Sequence, residues 1–514
     1  MDLKKLRILS FIVLITTNTY GGFKDWPGYG NTMTRHSITV DGPNIINTDT
    51  IQWIANTSPQ DYSKFQFESS AGAVLHDGRV YACAKYFEPN DQSPSGFDYT
   101  NSQVVAYRAD TGQLLWAAVI DQAIWDSWSS PAVDAKNNKV LIASGNKIYS
   151  IDDSNGTIVW QTELEKIVLN ASICIAPEIP YARAFITDYD GFGSTGKLYC
   201  VNLDVNEPNN PYQPGEIIWS DILGSTSGNT PAYKDGVVYV SSNMDAISYC
   251  GAVYAYDAQA SSAVRIWKAA DPNFEGFTSG VTITKDGFIY AVCYDWAEYE
   301  EDNSALCKID SSDGNIVWIT NAERTSTMPV VVGDKIYISA GINGWESRPK
   351  VEAYQDLGST VVKLWETPAN MVVGGWSNQP VYASGKLYVG AIPFDGDYFG
   401  AYTELYVLDV STDINDPNFV IAHYVDGKCG NNPAVVYDSL YTIGYDGLFK
   451  FHQPVLLADI DKNGTVDFYD LSELAADWLY DGPIGVNRAD LNLDGKVDFA
   501  DFSLLAGSWY GELD

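Results

Sequence analysis

A short strand signature, a polar residue or glycine followed by two apolar or aromatic residues, recurs eight times along this 514-residue chain. It reads Gly78-Arg-Val-Tyr81, Asn138-Lys-Val-Leu141, Arg183-Ala-Phe185, Gly236-Val-Val-Tyr239, Gly287-Phe-Ile-Tyr290, Asp334-Lys-Ile-Tyr337, Gly385-Lys-Leu-Tyr388 and Asp438-Ser-Leu-Tyr441. Most copies continue into a second strand ending near Asp, then a turn, then a third strand ending in Trp. Val105 to Trp116, Ile148 to Trp160 and Leu306 to Trp318 are the clearest; Trp219, Trp267 and Trp365 end weaker copies, and Tyr424 stands at the seventh. The period drifts between roughly 44 and 63 residues, the excess falling in loop insertions. A period of this size means that one supersecondary unit is stacked many times.

Each unit reads as a small antiparallel meander with two-residue alternation and a Thr-Gly or Asn/Asp-Gly turn. Such a sheet cannot bury both of its faces alone, so the units must pack on one another, and four strands per repeat fit a β-propeller. The Trp at each outer strand is expected between neighbouring blades, one large apolar body per interface. Seven complete units run from about Ala71 to Tyr424. An eighth, Asn432 to Phe451, stops before its Trp strand, and Thr50-Ile-Gln-Trp53 supplies that strand from the other end of the chain. Completing the last blade this way leaves no open edge. The expected fold is mainly β: an eight-bladed propeller over residues 23–454 with a small helical domain at 455–514.

The D-x-x-T/N-G-x-x-x-W pattern resembles the pyrroloquinoline-quinone-like repeats of the quinoprotein alcohol dehydrogenase-like superfamily. Asp25-Trp-Pro-Gly-Tyr-Gly30 is similar to the segment that leads into such propellers. The resemblance implies the fold over about residues 24–454. Quinone-dependent dehydrogenases of that superfamily carry a disulfide between adjacent cysteines against the cofactor. This sequence has no Cys-Cys, so PQQ is not expected, no catalytic residue is assigned, and a binding-only propeller is favoured.

The strongest chemical pattern lies at the C-terminus. Asp459, Asp461, Asn463, Asp467 and Asp470 occupy positions 1, 3, 5, 9 and 12 of an EF-hand-type loop. Gly464 stands at position 6, and Thr465 offers its carbonyl at position 7. Thirty-one residues on, Asp490, Asn492, Asp494, Asp498 and Asp501 repeat the pattern, with Gly495 at 6 and the Lys496 carbonyl at 7. Carboxylates clustered this tightly repel one another unless a hard cation draws them together, so two Ca2+ ions are expected. Each loop opens a short amphipathic helix, read as Leu471 to Leu479 and Phe502 to Trp509. Position 12 is Asp rather than the usual Glu, and no helix is expected to enter the first loop.

Together these features resemble the type I dockerin, a duplicated calcium-loop–helix module that binds a cohesin on a scaffoldin or cell surface. The resemblance implies partner contacts at loop positions 10 and 11, which are Phe468 and Tyr469 in one copy, Phe499 and Ala500 in the other. As core residues, Phe468 and Phe499 would instead be buried.

The ends and the charge set the context. Lys4, Lys5 and Arg7 precede the apolar run Ile8 to Ile15, and residues 1–22 read as an export signal, too short to span a bilayer. No other segment has the length of a membrane helix. The formal charge of −35 excludes nucleic acid as a bulk partner. Residues 455–514 hold 13 acids against 3 bases, −10, leaving −25 on the remainder. Of seven cysteines (Cys83, Cys174, Cys200, Cys250, Cys293, Cys307 and Cys429), Cys293 and Cys307 lie on neighbouring strands as a candidate disulfide, or are small buried hydrophobes. His36, His76, His423 and His452 show no metal-ligand spacing.

Two functional classes follow. In one, a secreted, calcium-dependent docking protein uses its propeller to bind carbohydrate or protein and its dockerin to join a cohesin-bearing assembly in polysaccharide utilisation. In the other, the same tether carries an enzyme working in the propeller funnel, a polysaccharide lyase or hydrolase or a quinone-dependent dehydrogenase. Insertions at Tyr86–Asn101, Asp204–Gly215, Tyr294–Asn303 and Phe394–Thr403 are the candidate ligand loops. A periplasmic assembly factor is a weaker third reading, since related propellers serve in outer-membrane protein insertion.

Overall fold

The computed structural model describes residues 25–55, 65–67, 71–86, 101–121, 129–177, 181–191, 193–243, 251–271, 276, 279–293, 304–342, 347–392, 402–426, 429–444 and 447–509. The expected export segment, Cys250 and most of the insertions at 86–101, 294–303 and 394–403 lie outside these residues.

The described strands form eight sheets, each with a four-stranded antiparallel meander. Blades 1 to 7 span residues 74–120, 132–163, 174–224, 232–270, 282–321, 330–366 and 381–424. Blade 8 takes Cys429–Val436, Ser439–Gly444 and Gly447–His452 from one end of the chain and Ile51–Ala55 from the other. Ile51–Ala55 pairs antiparallel with Gly447–His452, so the expected closure is present. The apolar core is a chain of clusters between successive sheets rather than one nucleus. Blades 1 and 2 share one cluster, blades 4 and 5 another, and blades 7, 8 and 1 a third.

The turn glycine and the Trp of the repeat meet across four of the interfaces. Trp116 of blade 1 donates its Nε1–H to the Asp153 carbonyl of blade 2 at 2.7 Å. Trp53, Trp219 and Trp267 make the same bond to Ala109, Ala260 and Ser311 of the next blade, at 3.0–3.2 Å. The following blade's turn glycine lies flat on the indole. A Cβ on Gly112, Gly156, Gly215 or Gly314 would approach Trp53, Trp116, Trp160 or Trp267 to 2.7–2.9 Å. These glycines also take positive φ, so two independent demands select the same residue.

A second tie runs round the axis. A backbone N–H just ahead of the first strand of one blade donates to a side chain of the next: Gly72 to Ser130, Ser130 to Ser172, Ser172 to Thr230, Met328 to Gln379 and Gln379 to Asn432, at 2.6–3.0 Å.

The segment that enters the propeller does more than lead in. Trp26 pairs with Leu75 of blade 1, and the carbonyls of Pro27, Met33, Thr34 and Ser37 accept from the first strands of blades 2, 4, 5 and 7. Buried Arg35 donates to the carbonyls of Tyr29, Ile173 and Pro231. Residues 26–37 thus lie across the inner strands, and Ile38–Thr39 then extends blade 7 in parallel. Sequence reading gave no sign of this crossing, because irregular chain has no periodicity.

Cys307 lies in register with Ala291, not Cys293, and its thiol is unbridged. Burial pushes that thiol up to about 12. The structure therefore supports the packing role for Cys307 and not the disulfide.

Candidate functional site: a duplicated calcium-loop module

The two C-terminal loops fold as copies. In the first, Asp459 accepts from the N–H groups of Asn463 (3.0 Å) and Gly464 (2.8 Å), and Asp470 from those of Ile460, Asp461 and Asp467 (2.6–3.1 Å). In the second, Asp490 accepts from Asp494 (3.1 Å) and Gly495 (2.9 Å), and Asp501 from Leu491, Asn492 and Asp498 (2.8–3.2 Å). The bonding is the same residue for residue at an offset of 31. Positions 1 and 12 are therefore fixed by backbone donors, the position-12 carboxylates are fully buried, and Gly464 and Gly495 take the sharp turn at φ 91° and 79°.

Position 9 has a second duty. Asp467 and Asp498 cap helices α1 (Phe468–Ala476) and α2 (Phe499–Gly507), accepting from the N–H of Tyr469 and Ala500 in a capping box. Each helix therefore starts three residues earlier than its apolar stripe suggested, and ends before Trp478 or Trp509. Leu479, read as part of the buried stripe, lies past the helix at φ 70° and is 78% exposed.

Carboxylate oxygens of Asp459, Asp461 and Asp470 lie within 4.8 Å of one another. Burial, then Asp501 and Asp494, push the Asp490 carboxyl up to about 7. Asp459 and Asp501 are raised in the same sense, with burial the main cause. The site thus gathers hard oxygen donors at a cost that a bound divalent cation would reverse, and the donor set fits Ca2+. Asn463 and Thr465, Asn492 and Asp494, and Lys496 stand at the remaining loop positions, with Thr465 N–H and Lys496 N–H donating to Asn463 and Asp494.

The position-10 aromatics are not core. Phe468 and Phe499 are 70% and 76% exposed, and Tyr469 is 71% exposed. Each Phe meets the Trp that closes the other copy's helix: Phe468 on Trp509 and Phe499 on Trp478, edge-on at 5.1 Å between centroids. Ala500 is half-buried beside Phe499. The two Trp residues were not singled out from sequence, although their recurrence 31 residues apart was the available sign.

The histidines lie apart from this site. His76 bonds Asp25 at 3.0 Å, His423 bonds Glu404 at 2.7 Å, His452 lies near Ser439, and His36 is buried in the crossing segment.

Fold and site together define a PQQ-like eight-bladed propeller carrying a C-terminal dockerin. The chain belongs to the propeller family whose model, described as outer membrane protein assembly factor BamB, matches residues 100–202 and 212–367. Residues 457–507 match the dockerin type I domain, a class of module that generally binds Ca2+ and a cohesin. Among solved structures, the chain is similar to a europium-containing methanol dehydrogenase (TM-score 0.56, 11% identity, covering 84% of this chain and 91% of that one). It is also similar to the quinohemoprotein alcohol dehydrogenase of Comamonas testosteroni (TM-score 0.53, 11% identity, 84% and 80%). At such identities the likeness is one of fold. No curated protein matches the sequence. Among the described residues, no helix is long and apolar enough to cross a membrane.

Proposed function

We propose that this is an exported, calcium-dependent docking protein in polysaccharide utilisation. Residues 1–22 direct export, 23–454 form a propeller that binds a carbohydrate or protein ligand, and 455–514 tether it to a cohesin-bearing assembly or cell surface. One Ca2+ is held by Asp459, Asp461, Asn463, the Thr465 carbonyl, Asp467 and Asp470, and a second by Asp490, Asn492, Asp494, the Lys496 carbonyl, Asp498 and Asp501. Phe468, Tyr469, Phe499 and Ala500 contact the cohesin.

One observation carries this reading: the two loops share one hydrogen-bond pattern, and each presents an exposed aromatic at the start of its helix. Large exposed aromatics beside a rigid helix end make anchors for a protein partner. Dockerin-bearing proteins are typically extracellular or attached to a cell surface, which agrees with the export reading. The module sits at the end of the propeller formed by the first-to-second strand turns, near Lys285 and Ser384, and so leaves the opposite end of the ring facing away from the tether. The test is binding of the full chain to immobilised type I and type II cohesins in calcium and in chelator. Capture by one type, abolished by chelator, is expected. Calorimetry showing no calcium uptake by the chain, or no capture by either type, would end the docking proposal.

A further inference from the structure

The module is seated on the propeller through its calcium loops. Position 4 of each loop, Lys462 and Leu493, takes left-handed backbone at φ 60° and 57°, a conformation that is uncommon for residues with a side chain. Both reach the propeller. Lys462 Nζ donates to Ser384 Oγ at 2.9 Å and stands 3.8 Å from Asp41. Leu493 packs into the cluster of blades 6 and 7 that contains Ile38, Val332 and Leu387. From the propeller side, Lys285 Nζ donates to the carbonyl of Gly495, position 6 of the second loop, at 2.7 Å, and to Asp481 at 2.6 Å.

The fit is close. A Cβ on Gly495 would lie 2.6 Å from Lys285 Nζ. One on Gly485 would lie 3.0 Å from Ile38, and one on propeller residue Gly333 3.0 Å from Val486. The joined bodies are both acidic, −10 on the module and −25 on the rest, so contact between them is opposed until charge is removed. Lys285 and Lys462 meet part of that opposition, and cations in the loops would meet more.

We propose that calcium loading of the two loops and docking of the module on blades 5 to 7 are one linked equilibrium. Filled loops hold positions 4 and 6 where Ser384, the Ile38 cluster and Lys285 receive them. Emptied loops, with buried carboxylates in mutual repulsion, lose that shape and release the module from the propeller. Linkage is reciprocal, so the propeller raises the calcium affinity of loops whose ligands it does not supply. This rests on the proposed calcium binding and adds to it a regulated joint between the two parts.

The test uses the full chain and a Lys285→Met/Ser384→Ala variant, whose changes lie outside both loops. Calcium affinity is measured by competition with a fluorescent chelator, and the radius of gyration by small-angle X-ray scattering with and without calcium. The wild-type radius is expected to fall on loading. The variant is expected to take up the same number of ions about fivefold more weakly or worse, the lower end of ordinary coupling between sites. Wild-type chain that takes up calcium with an unchanged radius, or a folded variant of equal affinity, overturns the coupling and leaves the dockerin reading intact. A chain that takes up no calcium overturns both. The wild-type scattering decides alone if the variant fails to fold.

Discussion

Replacing Gly156 by Ala separates the two demands that a blade turn places on its glycine. At φ 75° an L-residue meets the left-handed penalty, about 1–2 kcal/mol. The new methyl would also sit 2.9 Å from Cδ2 and Cε3 of Trp116 in the preceding blade, so the packed indole must shift. Overpacking of that kind costs about 1–3 kcal/mol, and the sum is about 2–5 kcal/mol. Gly236 provides the control: its φ is 84°, and a Cβ there meets nothing within 4 Å. Gly236→Ala should therefore show the backbone cost alone. Urea unfolding followed by far-UV circular dichroism measures both. The expected result is that Gly156→Ala loses about 1–3 kcal/mol more than Gly236→Ala, and that a Trp116→Leu background removes the excess. Equal losses at the two glycines, or an excess that survives without the indole, would refute the argument that the repeat's Gly is selected by its neighbour's Trp.

Three further outcomes are expected. Asp501→Ala strands the N–H groups of Leu491, Asn492 and Asp498 and removes a buried carboxylate, so calorimetric calcium stoichiometry should fall from two ions per chain to one. Phe468→Ala with Phe499→Ala should weaken cohesin binding by about 30-fold or more in surface plasmon resonance, while calcium uptake stays unchanged. His76 is held above its ordinary value, first by its bond to Asp25 and against the effect of burial. That contribution is present below about pH 6.5, the unperturbed value, and lost as pH rises through the raised one. Wild type should therefore exceed His76→Gln in urea stability at pH 5 by more than at pH 8.

The fold was legible because its demands repeat. Eight copies of one meander outweigh the ambiguity of any single strand, and the orphan Trp53 strand had one vacancy to fill. The loops were legible because oxygen ligands at fixed spacing leave few alternatives, and the helices began early only because Asp467 and Asp498 act as caps as well as loop residues. What escaped was long-range and aperiodic. Arg35 bonds carbonyls just ahead of blades 3 and 4 from an irregular segment, and Lys462 meets Ser384 and Asp41 far away in sequence. Phe468 and Phe499 could not be placed inside or outside from composition, because each covers the other copy's Trp only in part. Cys293 and Cys307 shared a hairpin as read, but a register offset set them opposite alanines.

The strand that closes the ring also sets a clock on synthesis. Ile51–Ala55 emerges early, yet its partner Gly447–His452 is made about 400 residues later. At about 5–20 residues per second, that is about 20–80 s during which Ile51–Ala55 has no partner strand and blade 1 has no neighbour on that side. A ring has no intermediate with all its edges satisfied, so for this interval the nascent chain carries two open flanks. The calcium loops are made after Gly447–His452, and so follow only after the strand that can shut the ring.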